Sequence, residues 1–106
     1  MPDRTVYARV NVEGTKNVID AAVRLHVRKL VYTSSAGVLF TGTDLANAAE
    51  DTPYPAVAMD VYNETKALAE RLVIAANGRD GLLTVALRPA SIYGCVSLLS
   101  HQRACF

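Results

Sequence analysis

Two short apolar runs with a helical stretch between them leave this chain few ways to fold. Leu30-Val31-Tyr32 follows the basic pair Arg28-Lys29, and Leu82-Leu83-Thr84-Val85-Ala86-Leu87 follows Gly81. Neither run alternates cleanly, so each reads as a strand buried on both faces, as in parallel sheets. Residues 60–76 lie between them with helical spacing. Strand, helix and strand in that order predict a right-handed parallel crossover, and so an α/β fold.

Residues 5–25 read as an earlier helix. Val6, Val10, Val18, Ala21 and Leu25 recur at helical spacing with Ala22 beside them, and Asp3 or Thr5 could cap the start. Gly14 interrupts the pattern, at a cost of about 1 kcal/mol against Ala. It is either a tolerated glycine or a point of close approach. In the later helix Val61, Ala67, Leu68, Leu72, Ile74 and Ala75 supply the apolar stripe, Asp60 the cap and Asn77-Gly78 the stop. Residues 38–59 are punctuated by Gly42, Asp44, Asn47, Asp51, Pro53 and Pro55. A loop of that length in a compact domain is usually functional or mobile. Glu50-Asp51 reads most simply as a solvated face. The predicted order is helix, strand, long loop, helix, strand.

At 106 residues the chain has room for one domain, and at 51% hydrophobic it is not disordered by composition. A net charge of +1 gives no sign of a nucleic-acid or membrane-surface partner. No window approaches the roughly 18 apolar residues of a membrane span, and no targeting signal follows Met1. Cys95 and Cys105 form no disulfide framework, so a reducing compartment is expected. Cys95, His101 and Cys105 lack zinc spacing with a fourth ligand, and no metal site is expected. His26 falls where the first helix ends, a natural place for a solvated imidazole.

Chemistry is expected at Val61-Tyr62-Asn63-Glu64-Thr65-Lys66. On a helix Tyr62 and Lys66 leave the same face one turn apart. A neighbouring ammonium favours the phenolate and lowers a Tyr pKa from about 10, making a base that can take a proton from an alcohol. Many surface helices carry such a pair as a solvated couple, so the spacing is informative only with its surroundings. Thr33-Ser34-Ser35 ends the first strand and Arg88-Pro89-Ala90-Ser91 ends the second. In open α/β sheets ligands bind at the carboxyl ends of the strands. The topology therefore gathers Ser34, Ser35, Tyr62, Lys66 and the turn at residues 89–91 at one sheet edge. Plain turn chemistry would also explain the small hydroxyl residues.

Four stretches in order, Asn11-Val12-Glu13-Gly14-Thr15, Tyr32-Thr33-Ser34-Ser35-Ala36, Tyr62-Asn63-Glu64-Thr65-Lys66 and Leu87-Arg88-Pro89-Ala90-Ser91-Ile92-Tyr93-Gly94, resemble motifs of the extended short-chain dehydrogenases/reductases. Within that superfamily the chain is most similar to the 3β-hydroxysteroid dehydrogenase branch. The loop Phe40-Thr41-Gly42-Thr43-Asp44 through Glu50-Asp51-Thr52-Pro53-Tyr54 and Met59-Asp60 resembles that of its sterol-4α-carboxylate 3-dehydrogenases (decarboxylating).

The resemblance implies part of a Rossmann-like, doubly wound parallel sheet over residues 1–94, followed by an unmatched tail at 95–106. It implies oxidation of a sterol or steroid 3β-hydroxyl to a ketone with NAD as acceptor, and decarboxylation when the substrate is a 4α-carboxysterol. Tyr62 would be the base. Lys66 would tune it and bond the nicotinamide ribose, and Ser35 would bond the substrate oxygen. Thr33 and Ser34 would line the cofactor, Asn11 would help hold the cofactor side, and Pro89, Ala90, Ser91 and Ile92 would pass near the nicotinamide.

The family's Gly-rich pyrophosphate turn and its ribose-binding acidic residue have no counterpart in the 106 residues. The isolated chain is accordingly expected to be inactive and to bind NAD poorly. With an apolar strand edge open it is also expected to self-associate or aggregate. The resemblance suggests a cytoplasmic or endoplasmic-reticulum setting. Two other readings stand beside it. One is a non-catalytic binding fragment. The other is a nucleotide-sugar epimerase of the same superfamily, which uses the same Tyr and Lys.

Overall fold

A computed structural model describes residues 3–93. A long helix opens it in three stretches: α1 (Arg4–Tyr7), a π-helical segment (Ala8–Glu13) and α2 (Gly14–Arg24). Asp3 is the cap, its carboxylate accepting from Thr5 N at 3.4 Å. After α2 come β1 (Lys29–Thr33), a 3₁₀ turn (Ala36–Leu39), an irregular stretch, α3 (Val61–Ala75), a second 3₁₀ turn (Arg79–Gly81) and β2 (Leu83–Leu87). The strands pair in parallel, with Lys29 opposite Leu83 and Thr33 opposite Leu87. The architecture is thus α/β, compatible with part of a Rossmann-like sheet, in the order expected.

α2 ends as helices with a left-handed terminal residue do. His26 has φ 57°, its N–H bonds Val23 O at 3.1 Å, and Val27 N–H bonds Ala22 O at 2.9 Å. These two bonds satisfy carbonyls that a helix end otherwise leaves unpaired. The imidazole is exposed, as its place at a helix end suggested.

The core is small: Ile19 and Ala22 of α2, Val73 and Ala76 at the end of α3, and Leu82, with Val23, Leu30, Tyr32 and Leu72 against them. Both helices cover the sheet face that carries Leu30, Tyr32 and Thr84. Thr84 ties that face to α3, its hydroxyl donating to Val73 O at 2.6 Å and its N–H to Asn77 Oδ1 at 2.9 Å.

Three expectations are corrected here. The strands are not buried on both faces: exposure alternates along each, and Val31, Leu83, Val85 and Leu87 are open. The reason is that the described helices lie on one side of the sheet. The expected helix stripes also differ. Val6, Val10, Val18, Leu25, Leu68 and Ile74 are exposed, whereas Ile19, Thr65, Ala69 and Glu70 are buried. Finally, the loop does not begin irregularly at Val38, since Val38 and Leu39 are buried in the 3₁₀ turn. Gly14 meets nothing closer than Arg9 O, 3.7 Å from where a Cβ would stand, so it is a tolerated helix glycine. The tail at 95–106 lies outside the described residues.

Candidate active site

α3 starts at Val61 because Asp60, in extended backbone, accepts Asn63 N–H at 2.7 Å through Oδ1. This cap sets the rotation of the first turn and puts Tyr62 and Lys66 on one face. The Lys66 ammonium reaches the end of β1, bonding Thr33 O at 2.9 Å and lying 4.5 Å from the Tyr32 ring centre. One bond therefore joins the helix that carries Tyr62 to the strand end that carries Thr33, Ser34 and Ser35.

The two strand ends are also held together. The ladder continues past β1 and β2 through Ser34 N–H to Leu87 O at 2.7 Å and Ala36 N–H to Pro89 O at 3.1 Å. Ser35 caps the 3₁₀ turn, its Oγ accepting Gly37 N–H at 3.1 Å. Gly37 is where α3 comes closest: a Cβ there would stand 2.4 Å from Asn63 Oδ1. Glycine thus lets the Ser35 turn press against the first turn of α3.

Not every expected site residue joins this group. Tyr62 and Ser35 make no hydrogen bond to each other among the described residues. The Tyr62 ring instead packs against Tyr7, with centroids 6.1 Å apart at 69°. Asn11, in the π-helical segment, donates to Thr65 Oγ1 at 3.0 Å, bracing α3 from behind. Helical π segments recur at functional sites. Ala90, Ser91 and Ile92 are exposed beyond Pro89. No cluster of three or more His, Cys, Asp or Glu that could hold a metal ion is found among the described residues.

Sequence reasoning missed the network beneath these ends. Glu70, fully buried on α3, takes Arg88 Nε at 3.0 and 3.1 Å and Nη2 at 2.5 Å, and Tyr54 OH donates to it at 2.5 Å. Arg71 and Arg88 also lie over the Tyr54 ring, at 4.4 and 5.5 Å. Burial alone would raise the Glu70 pKa. Hydrogen bonds from Arg88 and Tyr54, the nearby Ser34 hydroxyl and the Arg88 charge outweigh it and hold the carboxyl below its ordinary range. The same network raises Arg88, chiefly through its bond to Glu70. Tyr54 is raised by burial first and then by the Glu70 carboxylate. Ser34 is 5% exposed, and its Oγ makes no full hydrogen bond among the described residues although it lies close enough to Glu70 to favour the carboxylate. Glu70 thus ties the long loop, through Tyr54, to the segment entering the turn at Pro89. The sequence signal was faint: Glu70 is one turn beyond Lys66, on the side shared with Thr65, Ala69 and Val73.

A model of the 3-beta hydroxysteroid dehydrogenase/isomerase family matches residues 1–104. The chain belongs to that family. It is similar to the sterol-4-alpha-carboxylate 3-dehydrogenase, decarboxylating, of Candida albicans, 61% identical over 89 residues, which are 84% of this chain and 25% of that protein. The human protein of that name is 46% identical over 93 residues, 87% of this chain and 25% of its own length. An Arabidopsis thaliana 3beta-hydroxysteroid-dehydrogenase/decarboxylase, isoform 1, is 52% identical over 86 residues, 80% of this chain and 20% of its own. The chain therefore spans about a quarter or less of the relatives it matches.

Proposed function

We infer that this chain is the central segment, residues 1–94, of an NAD-dependent dehydrogenase that oxidises the 3β-hydroxyl of a 4α-carboxysterol. The observation that carries the reading is the Lys66–Thr33 bond, which fastens the Tyr62 helix to the strand ends where α/β sheets bind ligands.

The residues present suit the nicotinamide-ribose end of a dinucleotide. Thr33, Ser34 and Ser91 offer hydroxyls, Lys66 a fixed ammonium, and the Ser34 hydroxyl is buried without a full partner. When bound, NAD would supply the hydride acceptor. In this proposal Tyr62 Oη accepts the proton of the 3β-hydroxyl, Ser35 Oγ bonds that oxygen, and Lys66 holds the ribose. Thr33, Ser34 and the backbone of Pro89, Ala90, Ser91 and Ile92 line the cofactor side. Asn11 acts by bracing α3 at Thr65. A 3-ketone beside a 4-carboxylate is a β-keto acid, so carbon dioxide leaves with the electron pair drawn toward the ketone. The proposed setting is cytoplasmic or at the endoplasmic reticulum. No described helix is long and apolar enough to cross a membrane.

A full-length protein carrying this segment is expected to reduce NAD and release carbon dioxide from a 4α-carboxysterol. Turnover of a UDP-sugar instead would overturn the sterol reading in favour of an epimerase.

On the same reading the isolated 106-residue chain associates with itself. Val31, Leu83, Val85 and Leu87 line an open sheet face, each about half exposed or more. Apolar faces of this kind recruit other chains. Size-exclusion chromatography with light scattering at micromolar concentration is expected to find oligomers; a clean monomer with a sharp thermal melt would contradict this.

A further inference from the structure

We propose that Tyr7 is a positioning residue for the base: its ring holds the Tyr62 ring in place by edge-to-face packing. The inference rests on the assignment of Tyr62 as base and extends it to a residue 55 positions earlier in the chain.

Tyr62 sits in the first turn of α3 and is 43% exposed, so the backbone alone leaves its ring free to change rotamer. Lys66 does not restrain it here, because the ammonium is bonded to Thr33 O. The Tyr62 backbone carbonyl accepts from Thr65 Oγ1 at 3.0 Å, which fixes the main chain and not the ring. Among the described residues, the aromatic partner of that ring is Tyr7, at 6.1 Å and 69°, the T-shaped arrangement that aromatic quadrupoles favour.

Tyr7 is itself held from both sides. Three residues before it, Arg4 Nη2 bonds Glu64 Oε1 at 2.7 Å; four residues after it, Asn11 Nδ2 bonds Thr65 Oγ1 at 3.0 Å. Residues 4, 7 and 11 lie on one face of the helix, and all three contacts fall within the first turns of α3. Tyr7 is thus presented to Tyr62 by a clamp whose other rungs are polar. Proton transfer is sensitive to placement, and a displacement of about 1 Å can cost roughly 100-fold.

The test uses a full-length protein carrying this segment, with NAD and a 4α-carboxysterol, and the same protein labelled with ¹³C-tyrosine. Tyr7→Leu is expected to lower kcat about tenfold with KM for sterol and NAD unchanged, which is about 1.4 kcal/mol of barrier. Tyr7→Phe keeps the ring and recovers kcat to within twofold. In the labelled protein Tyr7→Leu is expected to shift the Tyr62 ring resonances by loss of the neighbouring ring current, and Tyr7→Phe to leave them near their original positions. The proposal is overturned if Tyr7→Leu keeps kcat within twofold of the original. It is equally overturned if Tyr7→Phe falls as far as Tyr7→Leu, which would make the hydroxyl the active group. Should Tyr7→Leu fail to fold, Tyr7→Phe still decides between ring and hydroxyl. If Tyr62→Phe retains turnover, the base assignment fails on its own account, and the ring resonances still report whether the contact exists.

Discussion

Tyr62→Phe in a full-length protein carrying this segment is expected to lower kcat by roughly 100- to 10,000-fold, the range for loss of a positioned acid–base group. The change removes one oxygen from a residue that is 43% exposed and keeps the ring that packs against Tyr7, so the thermal melt should not move. Lys66→Met is expected to do nearly as much, since it removes the ammonium that ties α3 to Thr33 O. Steady-state NADH formation alongside circular-dichroism melting gives both numbers. Near-full kcat in Tyr62→Phe would show that another group takes the proton.

Arg88→Ala should have the largest effect on stability. It strands the Glu70 carboxylate, fully buried, with the Tyr54 hydroxyl as its remaining close donor. Breaking one side of a buried ion pair costs about 3–5 kcal/mol. In a unit this small that lowers Tm by more than about 10 °C or prevents folding. The double variant Glu70→Leu with Arg88→Met should recover much of the loss, because no charge is then left unpaired.

The pH dependence has a definite sign. Glu70 titrates below its ordinary range in the folded chain, so its contribution is complete above about pH 4.3, the unfolded carboxylate value, and disappears as pH falls through the lower folded value. Tyr54 is raised, so its contribution is complete below about pH 10 and is lost as pH rises through the higher folded value. Melting curves should slope below about pH 4.3 for the original chain and flatten there for the double variant. Equal slopes would show that Glu70 is not the titrating group.

The order of elements, the Asp60 cap, the parallel pairing of the two apolar runs and the meeting of their ends near α3 were all legible in the chain. They follow from local rules: strand runs end at small or turn-forming residues, helices start at capping residues, and strands joined by a helix run parallel. What needed the tertiary structure is of another kind. Helix periodicity marks apolar positions but not which side faces the sheet, so Val10, Val18 and Leu68 looked like core while Thr65 and Glu70 turned out to be. A lone glutamate in a helix reads as solvated until Arg88 and Tyr54, 18 and 16 residues away, are brought beside it. Nothing near Tyr7 points to Tyr62. The π-helical winding at Asn11 is a hydrogen-bond register that side-chain pattern does not encode. Local sequence determined where backbone elements begin, end and run. Contacts between residues distant in the chain, and the burial that makes a charge or a ring count, came into being only when α1, α3 and the two strand ends packed together.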